Sequence, residues 1–226
     1  MWSFTLTLAA AVALVYGHGR VLNPPGRGSA WRAGFSARAN YDDDGLNCGG
    51  FYNQYGVNSG KCGVCGDAYD AAEPRPHESG GIYDSGVITG TYEAGSVIAV
   101  TVELTAHHKG YWEFNICPNR ERNDQACFDA NPIPLEDGNF KYYPPSSGQY
   151  TLNYKLPSDL TCDNCVLQWH YTAGNNWGVC DDGSGALGCG DQETFWACSD
   201  ITIEGGDSAS PLSADSLAQQ PINLGK

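Results

Sequence analysis

Along "SVIAVTVELTAHH", Ser96 to His108, apolar and polar side chains alternate. Ile98, Val100, Val102, Leu104, Ala106 and His108 fall on one parity, and Thr101, Glu103, Thr105 and His107 on the other. A period of two predicts a β-strand with one face on a core. The two adjacent histidines are therefore not equivalent, since His108 extends the apolar row to the strand's end and His107 the polar one. Strands are also predicted over "YWEFNIC" (Tyr111 to Cys117), "NCVLQWHYTA" (Asn164 to Ala173) and "TFWACSDITIE" (Thr194 to Glu204), with Trp112, Phe114 and Trp169 as core residues. The Tyr111 strand follows the Ser96 strand across a short Lys109-Gly110 connection, which predicts a β-hairpin. In the last strand Phe195, Ala197, Ile201 and Ile203 make an apolar face interrupted by Ser199, with Glu193 on the same side where the strand begins.

No long stretch carries apolar residues at helical spacing, and the 29 glycines and 12 prolines punctuate the chain instead. Short strands between Gly/Pro/Asn loops predict an all-β fold, a sandwich of the immunoglobulin/fibronectin-like kind with long disulfide-pinned loops. The region from Arg20 to Gly95 is expected to hold most of that irregular chain, where function often resides.

The ten cysteines point to disulfides, with their pairing left open by the sequence. "CGVC" (Cys62, Cys65) and "CDNC" (Cys162, Cys165) have the form of zinc knuckles, but they lie nearly a hundred residues apart, against roughly 15–20 in a zinc ribbon. Neither is embedded in a βαβ pattern, so a thioredoxin-like redox motif is disfavoured as well.

Upstream, "FTLTLAAAVALVY" (Phe4 to Tyr16) is apolar, uncharged and short for a membrane span, and small Gly17 follows. It reads as the core of a secretory signal peptide over residues 1–17, so that a secreted, extracellular chain begins at His18. One folded domain is expected over 18–205, about 190 residues. A tail or linker without aromatic residues follows over 206–226. The net charge of −14 argues against nucleic acid and anionic membranes as partners and favours a neutral ligand.

Three features together carry a family resemblance: His18 behind a cleavable segment, "TAHH" at a strand end, and "QETFWACSDITI" near the domain's end. With "HGRVLNPPGR", "LNCGGF", "CGVCGD" and "CVLQWHYTAGNNWG", the chain from His18 to about Gly205 resembles the lytic polysaccharide monooxygenases, copper enzymes of chitin and cellulose breakdown, and within them auxiliary activity family 15. The resemblance implies one copper ion held in a histidine brace. His18 would contribute its α-amine and ring Nδ1 and His108 a third nitrogen, a T-shaped set that suits copper better than zinc. It further implies that Phe195 takes the axial position as a non-ligating shield, where several branches carry tyrosine. Glu193 would be the carboxylate that hydrogen-bonds an oxygen species, and Ala106 would line the site.

An external electron donor, O₂ or H₂O₂ as co-substrate, and oxidation at C1 or C4 of an insoluble chitin or cellulose chain are implied by the same likeness. So is a flat binding face, for which Tyr41, expected to be exposed, and Trp31 are candidates, the other reading of Trp31 being a buried loop anchor. The protein is expected to act as a monomer. Two non-enzymatic readings stand beside this one, a chitin- or cellulose-binding module of the same fold and an inert disulfide-stapled matrix protein. Neither needs His18 at an N-terminus or His108 on the inward parity.

Overall fold

The computed structural model describes residues 18–205, so the expected signal peptide and tail lie outside the described residues. Ten strands run through this region: β1 (His18–Asn23), β2 (Gly90–Glu93), β3 (Val97–Ala106), β4 (Tyr111–Cys117), β5 (Pro132–Ile133), β6 (Gly148–Lys155), β7 (Cys162–Thr172), β8 (Trp177–Val179), β9 (Gly185–Leu187) and β10 (Thr194–Glu204). One short α-helix, α1 (Gln125–Asp129), is capped by Asp124, whose side chain accepts from Cys127 N–H. Strands β1, β3 and β6 form one antiparallel sheet, and the second runs β2-β10-β7-β4-β5, with β2 alone parallel to its neighbour β10. A separate hairpin, β8-β9, projects between β7 and β10 in sequence.

The alternation read from the sequence explains how the sheets meet. Ile98, Val100, Val102 and Leu104 of β3, with Val21 of β1, pack against Trp112, Phe114 and Ile116 of β4, Leu167, Trp169 and Tyr171 of β7, and Phe195, Ala197 and Ile201 of β10. Trp112, Trp169 and Tyr171 are fully buried, and each large side chain withdrawn from water in this way contributes roughly 1.5–3 kcal/mol. The all-β sandwich is thus the observed architecture. Strands β1 and β6, which carry no clean alternation, complete the smaller sheet by pairing along both edges of β3.

The expected hairpin between β3 and β4 does not form. Because β1 and β6 occupy both edges of β3, β4 finds its hydrogen bonds on β7 and β5 in the other sheet. The connection is therefore an arch between layers, and Lys109 and Gly110 take it with positive φ values of 58° and 72°. A Cβ at Gly110 would collide with the Thr172 carbonyl oxygen, so glycine is required there for space as well as for backbone conformation.

The cysteines form five disulfides, Cys48–Cys62, Cys65–Cys198, Cys117–Cys127, Cys162–Cys165 and Cys180–Cys189, and no described cysteine is free. Only the second CxxC closes on itself. Cys62 and Cys65 instead fasten the long loop region, one locally and the other to β10. That loop region covers the outer face of β10, which explains why Trp196, Cys198 and Asp200 are buried although they face away from the inter-sheet core. Arg27 closes the cover from inside. Its guanidinium donates to both carboxylate oxygens of Asp200 at 2.7 Å, to His77 O at 2.8 Å and to Ser79 Oγ at 3.1 Å.

Removing one partner of a buried, hydrogen-bonded ion pair strands the other charge. Asp200→Ala is expected to lower unfolding stability by about 3–5 kcal/mol, read as a shifted urea midpoint; a change within ~0.5 kcal/mol would show that the loop cover does not depend on this pair.

Candidate metal centre

His18 opens β1 directly opposite Ala106 of β3, and a register irregularity separates it from Gly19. Gly19 is needed at that point because a Cβ there would stand 2.7 Å from the Trp169 ring and 2.9 Å from Leu104 Cδ2. Its N–H donates to Asp44 O at 2.9 Å, which ties the strand start to the Tyr41–Asp44 turn. The backbone at the start of β1 is thereby fixed by both the β3 pairing and the Asp44 carbonyl.

His108 lies two residues beyond β3, on the arch between the sheets. Three bonds hold the backbone of His108 and its neighbour Lys109. His108 N–H donates to Tyr171 Oη at 3.1 Å, the same hydroxyl donates to Lys109 O at 2.5 Å, and Gly174 N–H donates to His108 O at 2.8 Å. Burial pushes the Tyr171 phenol up to about 12, which keeps it a neutral donor. The His108 side chain is 6% exposed, and burial, then the neighbouring His18 and His107, depress its pKa below the ordinary imidazole value. A neutral imidazole is the form that binds a metal.

Around this pair the structure gathers Glu193 and Phe195. Phe195 is fully buried with its ring centroid 6.1 Å from that of His18, and the buried Glu193 has Oε2 3.9 Å from His108 Nδ1. Asn47 donates from Nδ2 to Glu193 Oε1 at 3.1 Å and so orients the carboxylate. His18, Ala106, His108, Glu193 and Phe195, scattered over 178 positions of sequence, therefore meet at one rim of the sandwich. His107 points elsewhere, with Nε2 at 2.9 Å from Pro144 O.

Tyr41 lies on the turn that Asp44 O ties to Gly19. It is 82% exposed and meets the half-buried Trp31 edge-on at 5.2 Å, while Trp31 Nε1 donates to Asn40 O. Trp31 is thus a loop anchor, although a partly exposed one.

Three contributors escape a reading by periodicity: Asn47, Asn175 and Tyr171. Asn175 places Nδ2 3.0 Å from His108 Nδ1 and is held by the loop after β7, whose base Gln192 clasps through Asn176 N–H, Asn176 O and Cys189 O. The available signal is positional, since "LNCGGF" and "TAGNNWG" each put asparagine beside a residue that ends at the same rim. Tyr171 shares the parity of Trp169 and reads as core, and only its hydroxyl reveals the second task.

The donor chemistry fits a copper ion. Two imidazoles converge at one edge, one of them buried and neutral, in the company of an oriented carboxylate and an aromatic ring that cannot ligate. Among the described residues no group of three or more His, Cys, Asp or Glu side chains could hold a metal, so a third donor has to come from something other than those side chains.

Comparison with known proteins identifies the family. Residues 18–201 match the family model described as lytic polysaccharide mono-oxygenase, cellulose-degrading. Among solved structures the chain is similar to the lytic polysaccharide monooxygenase AA15 from Thermobia domestica in the Cu(I) state, with 44% identity, 84% of this chain and 100% of that chain covered, and a TM-score of 0.81. A search of curated proteins finds no match. The chain therefore belongs to the lytic polysaccharide monooxygenases and is AA15-like.

Proposed function

We propose that this protein is a secreted copper enzyme that oxidatively cleaves chitin or cellulose in its crystalline form, with His18 and His108 as the protein ligands. The convergence of His18 and His108 beside Glu193 and Phe195 is the observation that carries the reading. Cleavage after Gly17 would make the His18 α-amine the third nitrogen, which the side chains alone do not provide. Five disulfides support an oxidising compartment, and no helix among the described residues is long and apolar enough to cross a membrane.

Bound copper, reduced by an external donor, would supply the activation of O₂ or H₂O₂ needed to oxidise a glycosidic carbon. The chain's own residues prepare the site. Tyr171 and Gly174 fix the His108 backbone, and the steric demand at Gly19 fixes the start of β1. Glu193, oriented by Asn47, presents a carboxylate beside the histidines for hydrogen bonding or proton holding. Phe195 covers one side without ligating and keeps water from it.

The substrate face is built on segments tied to the same centre. Tyr41 belongs to the turn bonded to Gly19. Tyr143, 65% exposed, precedes the Pro144 carbonyl that meets His107, and Trp177, 68% exposed, follows Asn175 and Asn176 on the hairpin loop. Exposed rings at this rim suit the apolar faces of sugar units in a neutral, insoluble polymer.

Three outcomes test the proposal. The secreted protein is expected to start at His18 by N-terminal sequencing and to bind one Cu(II), and a start one residue away should abolish tight binding. His108→Ala should abolish both copper binding and oxidised products while leaving the melting curve of the metal-free protein intact, whereas His107→Ala should keep its copper affinity; the reverse pattern would name the wrong histidine as ligand. Trp177→Ala should weaken adsorption to chitin or cellulose about 3–10-fold, from ~0.5–1.5 kcal/mol of lost ring contact, without changing copper affinity. Undiminished adsorption would remove Trp177 from the binding face.

A further inference from the structure

Asn175 sits three residues beyond β7, on the loop that leads into β8, and its amide is within hydrogen-bonding distance of His108 Nδ1. With Nδ2 3.0 Å from that nitrogen, its Oδ1 is buried without a hydrogen-bond partner. Glu193 Oε2, at 3.9 Å, is too far to take a proton from Nδ1. The tautomer of His108 is consequently decided at Asn175.

An amide plane has two senses. With Nδ2 facing the ring, the amide donates, Nδ1 must accept, and the imidazole proton is forced onto Nε2. A half-turn about the Cβ–Cγ bond brings Oδ1 to the ring instead. Oδ1 then accepts from Nδ1–H, and Nε2 is left with a lone pair. No donor reaches Oδ1 in its present place, so no hydrogen bond is broken there by the turn. Only the second sense leaves a ring nitrogen, Nε2, with a lone pair free for a metal.

We propose that Asn175 is a positioning residue that fixes His108 as the Nδ1–H tautomer, presenting Nε2 to the metal. This rests on the reading of His108 as a copper ligand. The loop is suited to the task because both of its ends are held. Gly174 N–H is bonded to His108 O, and Gln192, buried at the head of β10, bonds Asn176 and Cys189. Asn175 is thus presented to the ring by a frame that includes the ligand's own carbonyl.

The test compares Asn175→Leu, which removes both amide functions at similar volume, with Asn175→Asp, which keeps only acceptors. Cu(II) dissociation constants and the Cu(II)/Cu(I) potential are measured on each, with His108→Ala as the reference for loss of the ligand. Asn175→Leu is expected to weaken copper binding about 10–100-fold, the usual effect of removing the partner of a ligating histidine. Asn175→Asp should restore or tighten it and lower the potential, because a carboxylate makes the imidazole more basic. If Asn175→Asp is as weak as Asn175→Leu, the amide acts as a donor and the proposal is overturned; wild-type affinity in Asn175→Leu would overturn it too. Unchanged copper affinity in His108→Ala would instead remove the ligand reading beneath it, a result distinct from either.

Discussion

The passage of the chain from one sheet to the other between His107 and Gly110 is the constraint on which the centre depends. Strand β3 has both edges filled, so the backbone must leave its layer, and it does so through two consecutive residues with positive φ. Lys109 in that conformation carries a cost that glycine at Gly110 avoids. The Tyr171 hydroxyl offsets that cost by accepting from His108 N–H and donating to Lys109 O from the opposite sheet. One phenol therefore fixes the arch, the separation of the layers at this rim and the direction in which His108 leaves the backbone.

The sequence made the inward face of β3 legible, because a strand with one buried face must alternate, and His108 came with it. The other three long core strands, β4, β7 and β10, were legible as apolar and aromatic runs. Strands β1 and β6 were not. β6, "GQYTLNYK", is mostly exposed or half-buried and has no hydrophobic pattern to betray it, and β1 joins the sheet through backbone pairing opposite Ala106 to Thr101. The β3–β4 connection was misread because a two-residue turn beside two strands signals a hairpin only if the strands have free facing edges, which is a property of the whole sheet.

At the centre, residues that follow a strand's parity could be placed and those that come from loops could not. Glu193, Phe195 and His108 continue or begin strands, whereas Asn47 and Asn175 arrive on irregular segments whose paths depend on the cysteine pairing. Cys65–Cys198 brings together residues 133 positions apart. The Arg27–Asp200 pair, 173 positions apart, works the same way. Long-range constraints of this kind leave no local pattern.

The loop between β7 and β10 has a consequence for how such a protein can diversify. Asn175, against the buried histidine, and Trp177, open to solvent, are two residues apart on one segment that Gln192 and the Cys180–Cys189 disulfide hold as a unit. A lengthened or reshaped hairpin that sought a different polymer would also pull on the group beside His108. On the function proposed above, substrate range and metal environment would be inherited together, and innovation at the outer surface would proceed by exchanging side chains on a preserved backbone.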